Sequence, residues 1–176
     1  MTQNTDLTGI SSCRNRLLCF EEAERLNPLQ LAYMGDSVWE TVVRTRLILQ
    51  KRNPRRMHEE CVKMVNAAAQ ARHMAVIRDS LEEKELSIAN RGRNTHAKHP
   101  APKHQIQADY AEATGFESLF GYLYITGQDD RIRELADIIF ERLTETADAE
   151  PKDGKTGKAY GIRKRDIRKG SGKTAE

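Results

Sequence analysis

The chain has 176 residues, of which 38% are apolar and 31% charged. That balance supports one packed core and excludes a membrane protein, since no apolar run approaches the roughly 20 residues that cross a bilayer. The formal charge of +3 hides a division: residues 152–176 hold nine Lys/Arg against Asp153, Asp166 and Glu176, a net of +6, so residues 1–151 sum to −3.

Met1 to Asn15 show no apolar run behind a basic cluster, so no secretory leader is expected and the protein is placed in the cytoplasm. Cys13, Cys19 and Cys61 are odd in number and form no Cys-x-x-Cys pair, which fits reduced thiols better than a disulfide framework or a zinc ribbon. Residues 1–24 read as a partly helical N-terminal extension, and helical periodicity then runs to about Ala147 without sustained strand alternation. Asn27-Pro28 pairs an N-cap residue with proline at the first helical position. The helix it opens carries Leu31, Met34, Val38, Val42 and Leu49 at steps of three or four residues or their multiples. Asn53-Pro54 repeats the signal, and one helix is expected to carry Met57, Cys61, Met64, Val65, Ala68 and Met74 on one side. Ser80-x-x-Glu83 fits a capping box opening a shorter helix to about Ala89.

Asn90 to Lys103 differs. It contains Pro100, Pro102 and Gly92, the cations Arg91, Arg93, Lys98 and Lys103, and no acid, so it is expected to be an exposed loop suited to phosphates. His96, His99 and His104 have a superficially metal-like spacing, but Lys98 and Lys103 would repel a cation there. A helix from about Ile106 to Gly127 follows, then one through Ile132, Leu135, Ile138, Ile139 and Leu143. Residues 148–176, almost all within PKDGKTGKAYGIRKRDIRKGSGKTAE, have little to bury and are expected to be disordered in isolation. This tail is either a polyanion-binding arm or a solubilising extension. The sequence-derived architecture is all-α, with one domain spanning residues 25–147.

Two acids stand out. Asp36 lies mid-helix in LAYMGDSVWE and Glu117 lies in ATGFESLFGYLYI, each among apolar residues and near a glycine, Gly35 and Gly121. An unpaired carboxylate is costly to bury, so each needs a partner or an outward face. If the two helices cross at their glycines the acids can meet, and such oxygen donors suit a hard cation such as Mg²⁺. The alternative is two unrelated surface acids. Glu40 shares the Asp36 helix face.

Together LAYMGDSVWE, VNAAAQA (residues 65–71), RGRN (residues 91–94) and ATGFESLFGYLY resemble the Mini-III ribonucleases, the compact branch of the ribonuclease III family, over residues of about 25–145. Met34 stands where Leu is usual in the first motif, and Ser118 where Ala is usual in the last. The resemblance implies an all-helical ribonuclease III-type endonuclease domain working as a homodimer. Asp36 and Glu117 would be the catalytic, metal-binding acids for Mg²⁺, with Mn²⁺ as a substitute. Glu40 would be an acceptor beyond the direct ligands or a plain helix-face acid. Arg91, Gly92, Arg93, Asn94, Lys98 and Lys103 would contact RNA. The implied activity is hydrolysis of double-stranded RNA to 5′-phosphate and 3′-hydroxyl ends, maturing precursor large-subunit (23S) ribosomal RNA, with a ribosomal protein or pre-ribosomal particle as a further partner. Larger family members carry two more acids, whose places here are Ala32 and Thr114, so the metal would have fewer carboxylates and more water. No double-stranded-RNA-binding domain is expected in the 29 residues after Ala147. A non-catalytic RNA-binding assembly factor on the same fold and an all-α protein–protein adaptor are the rival readings. Trp39 and the Met57 to Met64 face are candidate dimer contacts.

Overall fold

The computed structural model describes residues 18–50, 53–95 and 107–149, and among these there are helices and turns and no strand. In chain order they are α1 (Phe20–Arg25), α2 (Pro28–Leu49), α3 (Pro54–Val65), α4 (Ala67–Ile77), a 3₁₀ turn (Arg78–Ser80), α5 (Glu83–Thr95), α6 (Gln107–Ile125) and α7 (Asp129–Ala149). None is long and apolar enough to cross a membrane. The all-α expectation therefore holds, while the basic tail, Lys98 and Lys103 lie outside the described residues.

Both Asn-Pro starts are as expected. Asn27 and Asn53 accept hydrogen bonds from the N–H groups of Leu29 and Arg55, and proline follows each cap. The single helix expected from Met57 to Met74 is instead two, broken at Asn66. Its side-chain oxygen accepts from Ala69 N–H at 3.0 Å while its amide donates to the carbonyls of Val62 and Lys63, so one residue closes α3 and opens α4. The Met64 carbonyl, also left over at that end, accepts from Trp39 Nε1 at 3.1 Å and from His73 Nε2 at 3.2 Å. A carbonyl only accepts, so this contact makes Nε2 the protonated nitrogen of a neutral His73.

The expected capping box at Ser80 is displaced. Ser80 belongs to the 3₁₀ turn, and the reciprocal contact is Glu82 N–H donating to Glu85 Oε2 at 2.9 Å. The expected loop from Asn90 is also helical as far as Thr95, because the polar RGRN run lies on a helix whose Gly92 is buried against α6.

Helix α6 is the hub, packed by α2, α4 and α5. A Cβ placed on Gly35 would come within 1.7 Å of the Glu117 carbonyl oxygen, and one on Gly121 within 2.0 Å of the Leu31 carbonyl oxygen. The α2–α6 crossing is therefore backbone against backbone, which only glycine permits. Gly92 makes a similar seam between α5 and α6, its missing Cβ leaving room for the Ser118 side chain. Ser118 in turn donates to the Pro28 carbonyl at 3.0 Å.

The core closes around Trp39, fully buried among His73, Phe116, Phe120 and Phe140 at ring separations of 5.1 to 5.7 Å. This corrects the suggestion of Trp39 as a dimer contact: both its ring and its N–H are used inside one chain. Gly127, at φ 72°, makes the tight turn between α6 and α7.

Candidate active site

The Gly35–Gly121 crossing brings the two singled-out acids to one place. Asp36 follows Gly35 on α2 and is exposed; Glu117, one turn before Gly121 on α6, is half-buried. Burial, and next the charge of Asp36, push the Glu117 carboxyl from its usual 4.5 up to about 7, while a hydrogen bond from Gln70 pulls it part of the way back. The pair is thus an electrostatically strained anionic centre with one side open to solvent.

Gln70 was not singled out in the sequence. It is the fourth residue of α4, only 1% exposed, and its Nε2 lies 3.5 Å from Asp36 Oδ1, a long contact that the amide also extends toward Glu117. The Ala67–Ala69 run ahead of it lets α4 approach closely. The available signal was a polar residue in an apolar rhythm: positions 70, 73, 74 and 77 form one helical stripe, and all four are buried.

The remaining candidates occupy different settings. Glu40 Oε1 is held by Arg44 at 2.5 Å in an exposed pair one helical turn apart. Arg91 directs its guanidinium to the carbonyls of Glu24 at 2.5 Å and Leu26 at 3.1 Å, tying the α1–α2 turn to α5. Gly92 faces α6 rather than solvent. Arg93 is exposed and paired with Glu112 at 2.8 Å, and that carboxylate also takes Arg78 at 2.7 Å. Asn94 is exposed. Ala32 and Thr114 are both buried, and Thr114 donates to the Tyr110 carbonyl, so neither supplies a further acid.

No group of three or more His, Cys, Asp or Glu suited to a metal ion occurs among the described residues. Among the described residues, Asp36 and Glu117 are the carboxylates this place offers an ion. That set fits a hard divalent cation that keeps most of its water, and the raised Glu117 carboxyl marks the negative charge such a cation would offset.

Comparison with known proteins identifies the family. The ribonuclease III domain family matches residues 29–128. Mini-ribonuclease 3 of Clostridium tetani is 35% identical over 132 residues, covering 74% of this chain and 87% of that protein. Mini-ribonuclease 3 of a Thermoanaerobacter species is 39% identical over 130 residues, covering 73% and 91%. The crystal structure of a Fusobacterium nucleatum protein superposes with a TM-score of 0.62 at 24% identity, covering 69% of this chain and 97% of that one, a likeness of fold. The chain belongs to the ribonuclease III family, in its Mini-ribonuclease 3 branch, and is an endonuclease of that family.

Proposed function

We propose that the protein cuts double-stranded RNA at a centre formed by Asp36 and Glu117, with Mg²⁺ as the resident cation, and that its substrate is precursor 23S ribosomal RNA. The observation that carries this reading is the meeting of the two acids at the α2–α6 crossing, with Gln70 beside both. Asp36 and Glu117 would hold the ion. When bound, it supplies Lewis-acid polarisation of a phosphate oxygen and a water of lowered pKa for hydrolysis. Exposed Asp36 gives the site its open side, where a phosphodiester can enter. Glu117 is fixed from behind, since its own main chain is part of the helix crossing. Glu40, engaged by Arg44, sits on the same helix as an acceptor for water beyond the direct ligands.

Duplex binding is assigned to Arg93 and Asn94, both exposed at the end of α5, and to Lys98 and Lys103 beyond it. These cations and amides suit phosphates and 2′-hydroxyls, so recognition follows duplex shape rather than base sequence. Arg91 and Gly92 build the platform under that edge. The basic tail adds salt-dependent affinity. Homodimerisation is supported by an uncovered apolar strip on α2, where Leu29 and Tyr33 are 42% and 83% exposed one turn apart. A ribosomal protein or pre-ribosomal particle remains a proposed partner.

The test is incubation of wild-type and Asp36→Asn protein with duplex RNA, with Mg²⁺ and with EDTA. Discrete cuts needing both Mg²⁺ and Asp36, with binding kept in the variant, are expected. Cutting by Asp36→Asn at the wild-type rate would refute the site. Precursor 23S RNA cut no faster than an unrelated duplex would refute the substrate.

A further inference from the structure

Six polar or charged side chains are buried among the described residues: Gln70, His73, Glu85, Thr114, Ser118 and Thr126. Five have a structural explanation. His73 donates to the Met64 carbonyl, Glu85 receives Arg131, Thr114 and Thr126 donate one turn back along α6 to Tyr110 and Tyr122, and Ser118 ties α6 to Pro28. Gln70 is different. Its position on the core-facing stripe of α4 suits an aliphatic side chain, and burying a carboxamide there costs free energy unless its hydrogen bonds are made. The partners it meets are carboxylates on two other helices. Only the NH₂ end of the amide can face them, because the carbonyl end would be repelled.

We infer that Gln70 is the positioning residue of the acid pair: its carboxamide, reaching from α4 to one acid on α2 and one on α6, holds Asp36 and Glu117 in the arrangement that receives the divalent cation. It does this without adding a third negative charge to a centre where two already oppose each other. Ala32 and Thr114 supply no further carboxylate and Glu40 is engaged by Arg44, so the side chain that reaches both acids comes from a third helix. The inference rests on the reading of Asp36 and Glu117 as the cation's ligands. Groups that hold metal ligands in place typically change metal affinity about 10- to 100-fold when removed.

The probe is Mn²⁺ alone, titrated into the metal-free full-length protein and followed by the electron paramagnetic resonance signal of the free ion. Gln70→Met keeps the length of the side chain and removes its donors. Its Mn²⁺ affinity is expected to fall at least about tenfold, with a matching rise in the Mg²⁺ needed for half-maximal cleavage. The KM for duplex RNA at saturating Mg²⁺ should not change, nor should the circular-dichroism spectrum. Should Gln70→Met fail to fold, Gln70→Asn decides: it keeps an amide but withdraws it by one methylene, and the same loss is expected. Wild-type Mn²⁺ affinity and Mg²⁺ requirement in the folded variant overturn the inference. Asp36→Asn, run in parallel, separates the two claims. Loss of Mn²⁺ binding there beside unchanged binding in Gln70→Met overturns the role of Gln70 alone, whereas unchanged binding in Asp36→Asn overturns the metal site and the inference with it.

Discussion

Arg131 of α7 grips Glu85 of α5 through two hydrogen bonds of 2.8 Å, from Nε and from Nη2, and Nη2 also reaches the Ser80 carbonyl at 2.6 Å. Burial alone would raise the Glu85 carboxyl, but Arg131 and the Glu82 N–H hold it below its usual range. Truncation by Arg131→Ala leaves the buried Glu85 carboxylate with only the Glu82 N–H and removes this donor from the Ser80 carbonyl. The expected loss is about 3 kcal/mol at neutral pH, within the range for breaking one side of a buried pair. Urea unfolding checks it, and a loss below about 1 kcal/mol would mean that Glu85 finds water instead.

Enlarging the α2–α6 seam should cost more than an ordinary core change. In Gly121→Ala the new methyl meets a main-chain oxygen at 2.0 Å, and in Gly35→Ala at 1.7 Å, so a helix must move rather than a side chain rotate. Each is expected to lose about 3 kcal/mol or more, the upper end for overpacking. Gly35→Ala should also lose most RNA cleavage, because the atom it strikes belongs to Glu117. Thermal melts and a cleavage assay read the two effects separately.

In the metal-free protein the contribution of Glu117 to stability should fall as pH rises from about 4.5 through 7. Its carboxyl titrates near 7 when folded and near 4.5 when exposed. Between those values the folded chain holds more protons than the unfolded one, so stability falls with increasing pH. A loss of about 1–3 kcal/mol is expected by pH 8, after discounting for the partial exposure of the site. In EDTA, Glu117→Gln should remove this slope and melt higher than wild type at pH 8. Equal slopes in the two proteins would rule out Glu117 as the titrating group.

His73 acts with the opposite sign over much of the same pH range. Burial holds its imidazole down at about 4, against an ordinary 6.5. Here the unfolded chain takes up the proton first, so stability present above 6.5 is lost as pH falls toward 4, by about 3 kcal/mol. His73→Gln should lower stability at pH 7 and remove this acid-side loss, as calorimetry across pH 4–7 in a Glu117→Gln background, free of the opposing slope, would show.

Parts of this structure are visible in the chain because their causes are local. An asparagine before a proline starts α2 and α3 by capping groups two residues away. The two acids are visible because each interrupts an apolar run, and the glycines beside them point to a close crossing. The break at Asn66 is hidden, since the apolar spacing continues through Met64, Val65 and Ala68, while the groups that satisfy the Met64 carbonyl come from Trp39, 25 residues earlier, and His73. Gln70 is hidden for the same reason: its meaning depends on Asp36, 34 residues away, and on Glu117. Arg91 looks like a free cation until the carbonyls of Glu24 and Leu26, 67 and 65 residues off, are folded against it.

The glycine seam has a mechanical consequence. Where two helices touch through their main chains, the spacing between them is set by the thickness of the polypeptide, a limit that further compaction cannot pass. The acids on either side are mounted on a hard stop. Leucine, isoleucine or phenylalanine exchanges elsewhere in the core can raise or lower stability while that stop keeps the span of the cutting centre constant, so sequence drift in the hydrophobic interior and calibration of the site proceed as separate variables.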